Sequence, residues 1–174
     1  DASMMATELP DLELFDPAIA GLSTDERIDM ALRAESAARE VDPRITNFDR
    51  GGFGTTVGRT VFANSLGFAG SYDSSLISLS AIPVATDGEQ MQRDYWYDMR
   101  RSLAEMETPE SIGRKAALRT LRRLGARKVE TCDVPVVFEP TIARDLLGTV
   151  FSACSGESVY RKASPFADSL GEIV

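Results

Sequence analysis

The sequence contains no histidine. That absence removes the commonest general base near neutral pH and the commonest zinc-binding side chain together. Serine catalysis normally relies on a base to take the hydroxyl proton, and the usual base is missing. Cysteine is scarce as well, with Cys132 and Cys154 as the only two. Each lies in an apolar stretch, so both are expected to be reduced, buried and structural; a disulfide or a metal pair is the alternative. Cys154 has no partner base, so a thiolate nucleophile is not expected there. No run of about 18 apolar residues occurs, so no transmembrane helix is expected. The first residues lack the basic–apolar–small pattern of a secretory leader. Together these absences point to a cytoplasmic protein without a membrane role. Positive charge is in deficit too: 27 acidic residues against 19 basic ones give a net charge of −8. An acidic chain is a poor nonspecific binder of DNA.

What is present is an ordinary globular mixture, 43% apolar and 26% charged over 174 residues. That is enough for one real core or two small ones. The spacing predicts an α+β fold, with short antiparallel strands in a central region and three amphipathic helices. Residues 1–20 read as an acidic connector from a preceding domain, irregular at least to Pro17. Residues 21–128 read as a central α+β domain, and 129–174 as the start of a C-terminal domain.

Ser23-Thr-Asp-Glu26 is a capping box. It predicts a helix to about Val41, with Ile28, Leu32, Ala38 and Val41 inward, ended by Pro43. Its outer face reads as solvated, with an acidic partner-binding surface as the alternative. From Arg44 to Asp87, apolar residues are spaced among Ser, Thr, Gly and Asn, which suits strands joined by hairpins. Asp49-Arg-Gly-Gly52 and Asn64-Ser-Leu-Gly67 are the turn signals. Gly51, Gly52 and Gly54 fit a tight turn better than a phosphate loop, because no Gly-Lys-Ser/Thr follows. The basic residues Arg114, Lys115, Arg119, Arg122, Arg123, Arg127 and Lys128 cluster, and Lys115, Arg119, Arg122 and Arg123 share a helical face. That face could meet phosphates or an acidic segment such as residues 1–29; no base-reading motif accompanies it. Arg93-Asp-Tyr-Trp-Tyr-Asp98 reads as a strand on which Tyr95 and Tyr97 face away from Trp96. Packing explains the aromatics well enough, but Arg93, Tyr95, Trp96 and Tyr97 are also candidates for a peptide or partner surface. Asp94 and Asp98 are too weak a pair to argue for glycoside chemistry.

The stretch from Thr108 to Tyr160 reads as helix, strand, helix. Thr108 caps the first helix, Pro109 occupies its first turn and Gly125 stops it. Ala117, Leu121 and Leu124 share a face. Val134, Val136, Val137 and Phe138 read as a strand, with Pro135 restricting it to an edge. Pro140 opens a second helix carrying Ile142, Leu146, Val150 and Ala153 on one face, closed near Gly156. Tyr160, Phe166, Leu170 and Ile173 follow without a clear finishing element.

Met91-Gln-Arg-Asp-Tyr-Trp-Tyr, Pro109-Glu-Ser-Ile-Gly-Arg-Lys-Ala-Ala, Leu124-Gly-Ala-Arg-Lys, Pro135-Val-Val-Phe and Ser155-Gly-Glu-Ser-Val-Tyr-Arg-Lys-Ala-Ser together resemble the PmbA/TldD family. Its members are described as modulators of DNA gyrase and as metalloproteases. The likeness runs from about Asp42 to the C-terminus and is strongest to the PmbA, or TldE, branch. Members are much longer than this chain, so the resemblance implies a fragment. In the catalytic branch a His-Glu-x-x-x-His motif sits on the helix after the Pro-Val-Val segment. Matching that helix here puts Gly148 and Ala153 at the histidines and Thr149 at the glutamate. The resemblance therefore implies a non-catalytic subunit with no cofactor of its own. Zinc would lie in a TldD-like catalytic partner, and a peptide would be the substrate. A homo-oligomer is also possible by analogy. The alternatives are a regulatory module acting on gyrase or DNA, and a parent protease whose metal ligands all lie outside this segment.

Overall fold

The structure is a computed structural model in which residues 10–169, 171 and 172 are described. The first half of the expected connector, with Leu170 and Ile173, lies outside them. The chain divides into two compact units, Asp1–Arg127 and Lys128–Val174.

In the first unit, a short helix α1 (Pro17–Gly21) precedes α2 (Thr24–Arg39). The capping box is formed as expected: Ser23 Oγ accepts from Glu26 N at 3.2 Å, and Glu26 Oε2 accepts from Ser23 N at 2.8 Å. The inward stripe differs from expectation. Ala34, Ala37 and Ala38 are buried, whereas Ile28 and Leu32 are more than half exposed. Small residues win because α3 (Pro109–Leu121) must come close. A Cβ added to Gly113 would overlap the Ala34 carbonyl, so the two helices are nearly in backbone contact.

The helices cover one face of an antiparallel sheet. Strands β1 (Ile45–Ala63) and β2 (Ala69–Asp87) form a hairpin of 19 residues a side. They are far longer than the short strands expected. The turn at Asn64–Gly67 holds: Asn64 Oδ1 accepts from Leu66 N, and Gly67 has φ +91°. The expected turn at Asp49–Gly52 does not form. Those residues lie inside β1, where the register shifts between Phe48 and Arg50 make a bulge. Glycines there serve close approach rather than reversal. Ser80 and Ser78 donate toward the Gly52 and Gly54 carbonyls at 3.4 and 3.5 Å, in the space a Cβ would crowd.

Beyond β2 the third strand comes in two pieces, β3 (Gln90–Arg93) and β4 (Trp96–Arg100), both antiparallel to β2. Where β4 ends, the connector takes over: Ser75 N donates to Leu14 O at 2.9 Å. Asp16 completes the join: its N–H donates to Ser75 Oγ at 2.8 Å, and its carboxylate accepts from Leu103 N at 2.8 Å. The core lies between sheet and helices. Leu79, Ala81, Ile112, Ala116 and Ala34 form one buried cluster, and Ile45, Ala85, Ala117 and Ala38 another with Leu121 and Leu124 against it. Thr108 caps α3 through Ser111 N, and Gly125 follows it with φ +71°.

In the second unit, residues 134–138 adopt no regular strand, and Val137 is 96% exposed. Pro135 has no N–H, and no described strand in this unit offers the remaining backbone groups a partner. Helices α4 (Pro140–Ala153) and α5 (Gly156–Tyr160) follow. Neither buries a side chain, so the expected inward face of α4 is open. Cys132 and Cys154 are exposed free thiols rather than buried ones.

Candidate functional site

The segment from Arg93 to Asp98 carries the sequence-level surface candidates, and two elements position it. Backbone pairing with β2 fixes β3 and β4, and Thr120 of α3 pins the break between them. Thr120 is fully buried; its hydroxyl accepts from Asp94 N at 3.1 Å and lies 3.0 Å from the Ala116 carbonyl. Alternation then sends side chains to opposite faces.

Trp96 turns toward the helices and packs on the core cluster of Ala34, Leu79 and Ile112. Two cations of α3 lie over its ring: Lys115 Nζ at 5.2 Å and Arg119 Cζ at 5.4 Å from the centroid. Lys115 also pairs with Glu107 at 2.7 Å. Burial pushes the Glu107 carboxyl up, but hydrogen bonds from Lys115 and Ser111 outweigh it and the pKa ends below its ordinary value. Arg119 and Arg123 approach Asp94 at 3.8 and 3.9 Å. Three of the four predicted basic-face residues are thus held against acids of their own chain. Arg122 is exposed at the C-terminus of α3.

Tyr95 and Tyr97 turn to the opposite, helix-free face, where their rings stack with centroids 6.1 Å apart. Met99 continues this side and is half exposed. Beside the tyrosines run Ser80 and Ser78 of β2, then Gly52 and Gly54 of β1. The result is a flat floor of small residues bordered by a stacked aromatic pair. Arg93 lies away from it, paired with Asp49 at 2.6 Å across the mouth of an open groove of about 790 Å³. Thr46, Phe48, Val84, Met91 and Arg123 also line that groove. The four surface candidates therefore do not form one surface: the tyrosines share a face, Trp96 is a core residue with cationic neighbours, and Arg93 guards a groove.

Glu107 and Thr120 were not singled out by the sequence, and Asp98 entered only as half of a weak carboxylate pair with Asp94. Asp98 is buried; burial raises its carboxyl, but the hydrogen bond from Glu107 N at 2.8 Å and the Arg100 guanidinium bring it below its ordinary value. Its position two residues beyond Trp96 on the same strand face is the only signal that could have found it.

The helix expected after the Pro-Val-Val segment is present as α4. Zinc takes imidazole, thiolate or carboxylate donors. Gly148 and Ala153 have no donor atom, and the Thr149 hydroxyl donates to the Asp145 carbonyl one turn back at 3.0 Å. The residues at these positions do not fit zinc.

A one-sided antiparallel sheet covered by closely packed helices makes up the first unit, and the second unit carries the proline-opened helix α4. Residues 17–124 match the PmbA/TldA metallopeptidase central domain, and residues 131–174 the PmbA/TldA metallopeptidase C-terminal domain. The chain belongs to this PmbA/TldD family. It is 43% identical over 172 residues to metalloprotease PmbA of Escherichia coli O157:H7, covering 99% of this chain and 38% of that protein. It is 35% identical over 174 residues to the metalloprotease PmbA homolog of Haemophilus influenzae, covering 100% of this chain and 38% of that protein. The fold superposes with a TM-score of 0.87 at 26% identity on a Thermotoga maritima protein described as a candidate modulator of a DNA gyrase, over 96% of this chain and 38% of that one. TldE from Thermococcus kodakarensis shares the fold at a TM-score of 0.76 and 21% identity, over 92% of this chain and 36% of that one. The chain spans a little over a third of the length of the relatives it matches.

Proposed function

We propose that this chain comes from a non-catalytic, PmbA/TldE-type subunit of a cytoplasmic zinc metallopeptidase pair that matures or degrades peptides. The observation that supports this reading is α4, the helix after the Pro-Val-Val segment, which carries Gly148, Thr149 and Ala153 at the positions the family resemblance assigns to the ligands and base. A chain without histidine cannot supply the imidazoles of that motif at any register. The zinc would belong to a TldD-like partner, and this subunit would help enclose and hold the peptide. The stacked Tyr95–Tyr97 pair suits that task, since rigid aromatics present contact area at little entropic cost.

The test is to mix the full-length protein with its TldD-like partner and assay peptide cleavage. Cleavage by the pair should exceed that of the partner alone, and the full-length protein alone should bind no stoichiometric zinc. A pair no faster than the partner, or zinc retained by this subunit, overturns the reading.

A further inference from the structure

Pro83 stands in β2, the central strand, with β1 on one side and β3 and β4 on the other. Proline has no N–H to give a ladder and is found inside sheets mainly beside bulges. Here the ladder is disturbed on both sides of it. On one side Pro83 lies opposite Phe48, where the register of β1 shifts. On the other, Arg93 faces Val84 and Trp96 faces Ala81, so β3 and β4 keep one register against β2. The gap between them falls at Asp94 and Tyr95, opposite Pro83 and Ile82. In an antiparallel pair the N–H and C=O of one residue point to the same neighbour. The Pro83 carbonyl is aimed at the gap, 3.3 Å from Thr120 Oγ1, so the missing donor is on this side too.

Side chains fill the gap. The Thr120 hydroxyl is inserted between the strands: it accepts from Asp94 N at 3.1 Å and lies 3.3 Å from the carbonyls of both Asp94 and Pro83. It has one proton for these two oxygens and for that of Ala116 at 3.0 Å, so it replaces the lost ladder bonds only in part. The next amide is met by Asp94 itself, whose Oδ1 accepts from Tyr95 N at 2.8 Å. Both amides of the gap thus end on side-chain oxygens. Tyr95 follows at once, and its ring stacks on Tyr97, which is back in the ladder opposite Ser80. The angle at which Tyr95 is presented is therefore set from the far side of the sheet, by a residue of α3.

We propose that Thr120 is a positioning residue for the Tyr95–Tyr97 pair, its inserted hydroxyl holding the Asp94–Tyr95 peptide where Pro83 cannot. This deepens the peptide-holding role proposed for that pair and rests on it. Thr120→Val keeps the shape and loses the hydroxyl. In the full-length protein, hydrogen exchange at the amides of Asp94 and Tyr95 should then speed about tenfold, because a donor loses its acceptor, while exchange in the β1–β2 ladder around Phe53 stays at the parent rate. With the TldD-like partner, the KM for peptide should rise about threefold to tenfold at nearly constant kcat. Thr120→Ser keeps the hydroxyl and should return both values to within about twofold of the parent. Pro83→Ala combined with Thr120→Ala supplies the donor and removes the wedge, so the ladder can close. Asp94 exchange should slow again in that double variant, yet KM should stay raised because Tyr95 has moved; it also judges the proposal if Thr120→Val fails to fold. Acceleration spread evenly over the sheet, or none at Asp94, overturns the pin. Local acceleration with an unchanged KM in an active pair overturns the positioning role. A parent pair that cleaves no faster than the partner alone defeats the peptide-holding reading instead, and the exchange rates still decide whether Thr120 sets this peptide.

Discussion

Gly113 is the residue on which the close approach of α2 and α3 depends. Any side chain there would occupy the Ala34 carbonyl, and a backbone contact cannot rotate away. Gly113→Ala should therefore cost about 1–3 kcal/mol, seen as a lower urea midpoint, although alanine is the better helix former. Sequence reasoning placed α3 correctly but passed over this glycine, because crowding by a helix eighty residues away leaves no local trace. The same holds for Ile28 and Leu32: hydrophobicity alone put them inside, while the alanine stripe that fits against Gly113 lies on the other side of α2. Asp98 gives a pH prediction. Its folded pKa lies below the ordinary value, so the stability it confers is complete above about pH 4 and fades as pH falls through the folded value. Asp98→Asn should flatten the acid limb of a stability–pH curve measured by denaturant unfolding. Steepness equal to that of the parent would rule out this carboxylate as the source.

At the scale of elements, whatever the chain encodes within a few residues was legible. The Ser23–Glu26 box, the Thr108 cap, Gly125 after α3, the Asn64–Gly67 turn and the proline start of α4 are local codes, and each forms. Ser23→Ala should lower stability by about 1 kcal/mol in the same unfolding assay. Long-range facts were not legible. Asp49–Gly52 has turn composition, yet pairing with β2 carries the strand through it as a bulge. The run Val134–Phe138 has strand composition, yet no neighbouring strand in its unit completes it. Tyr95, Trp96 and Tyr97 alternated as expected because period two is a property of the strand itself, but which face the helices would cover was not encoded nearby. In α4, Gly148 has open space around it and no positive φ. Gly148→Ala should gain about 0.5–1 kcal/mol in thermal unfolding of the full-length protein. A loss instead would mean that another chain segment packs on that spot.

For the molecule as a whole, the chain is acidic, and Lys115, Arg119 and Arg123 of its one basic cluster are held by acids of their own chain. A mobility-shift titration with duplex DNA should show no complex even at low salt, where counterion release favours binding most. A salt-sensitive shift would revive the regulatory alternative. The join between connector and sheet has a mechanical consequence. Leu14 holds the edge of β2 at Ser75, and Asp16 holds both Ser75 and the turn at Leu103. A pull applied at Pro10 would load these bonds together, across the strand direction and at two points in the sequence far apart. The segment ahead of α1 is therefore a tether with almost no slack, and tension on it would reach the strand beside the tyrosines before it stretched the helices.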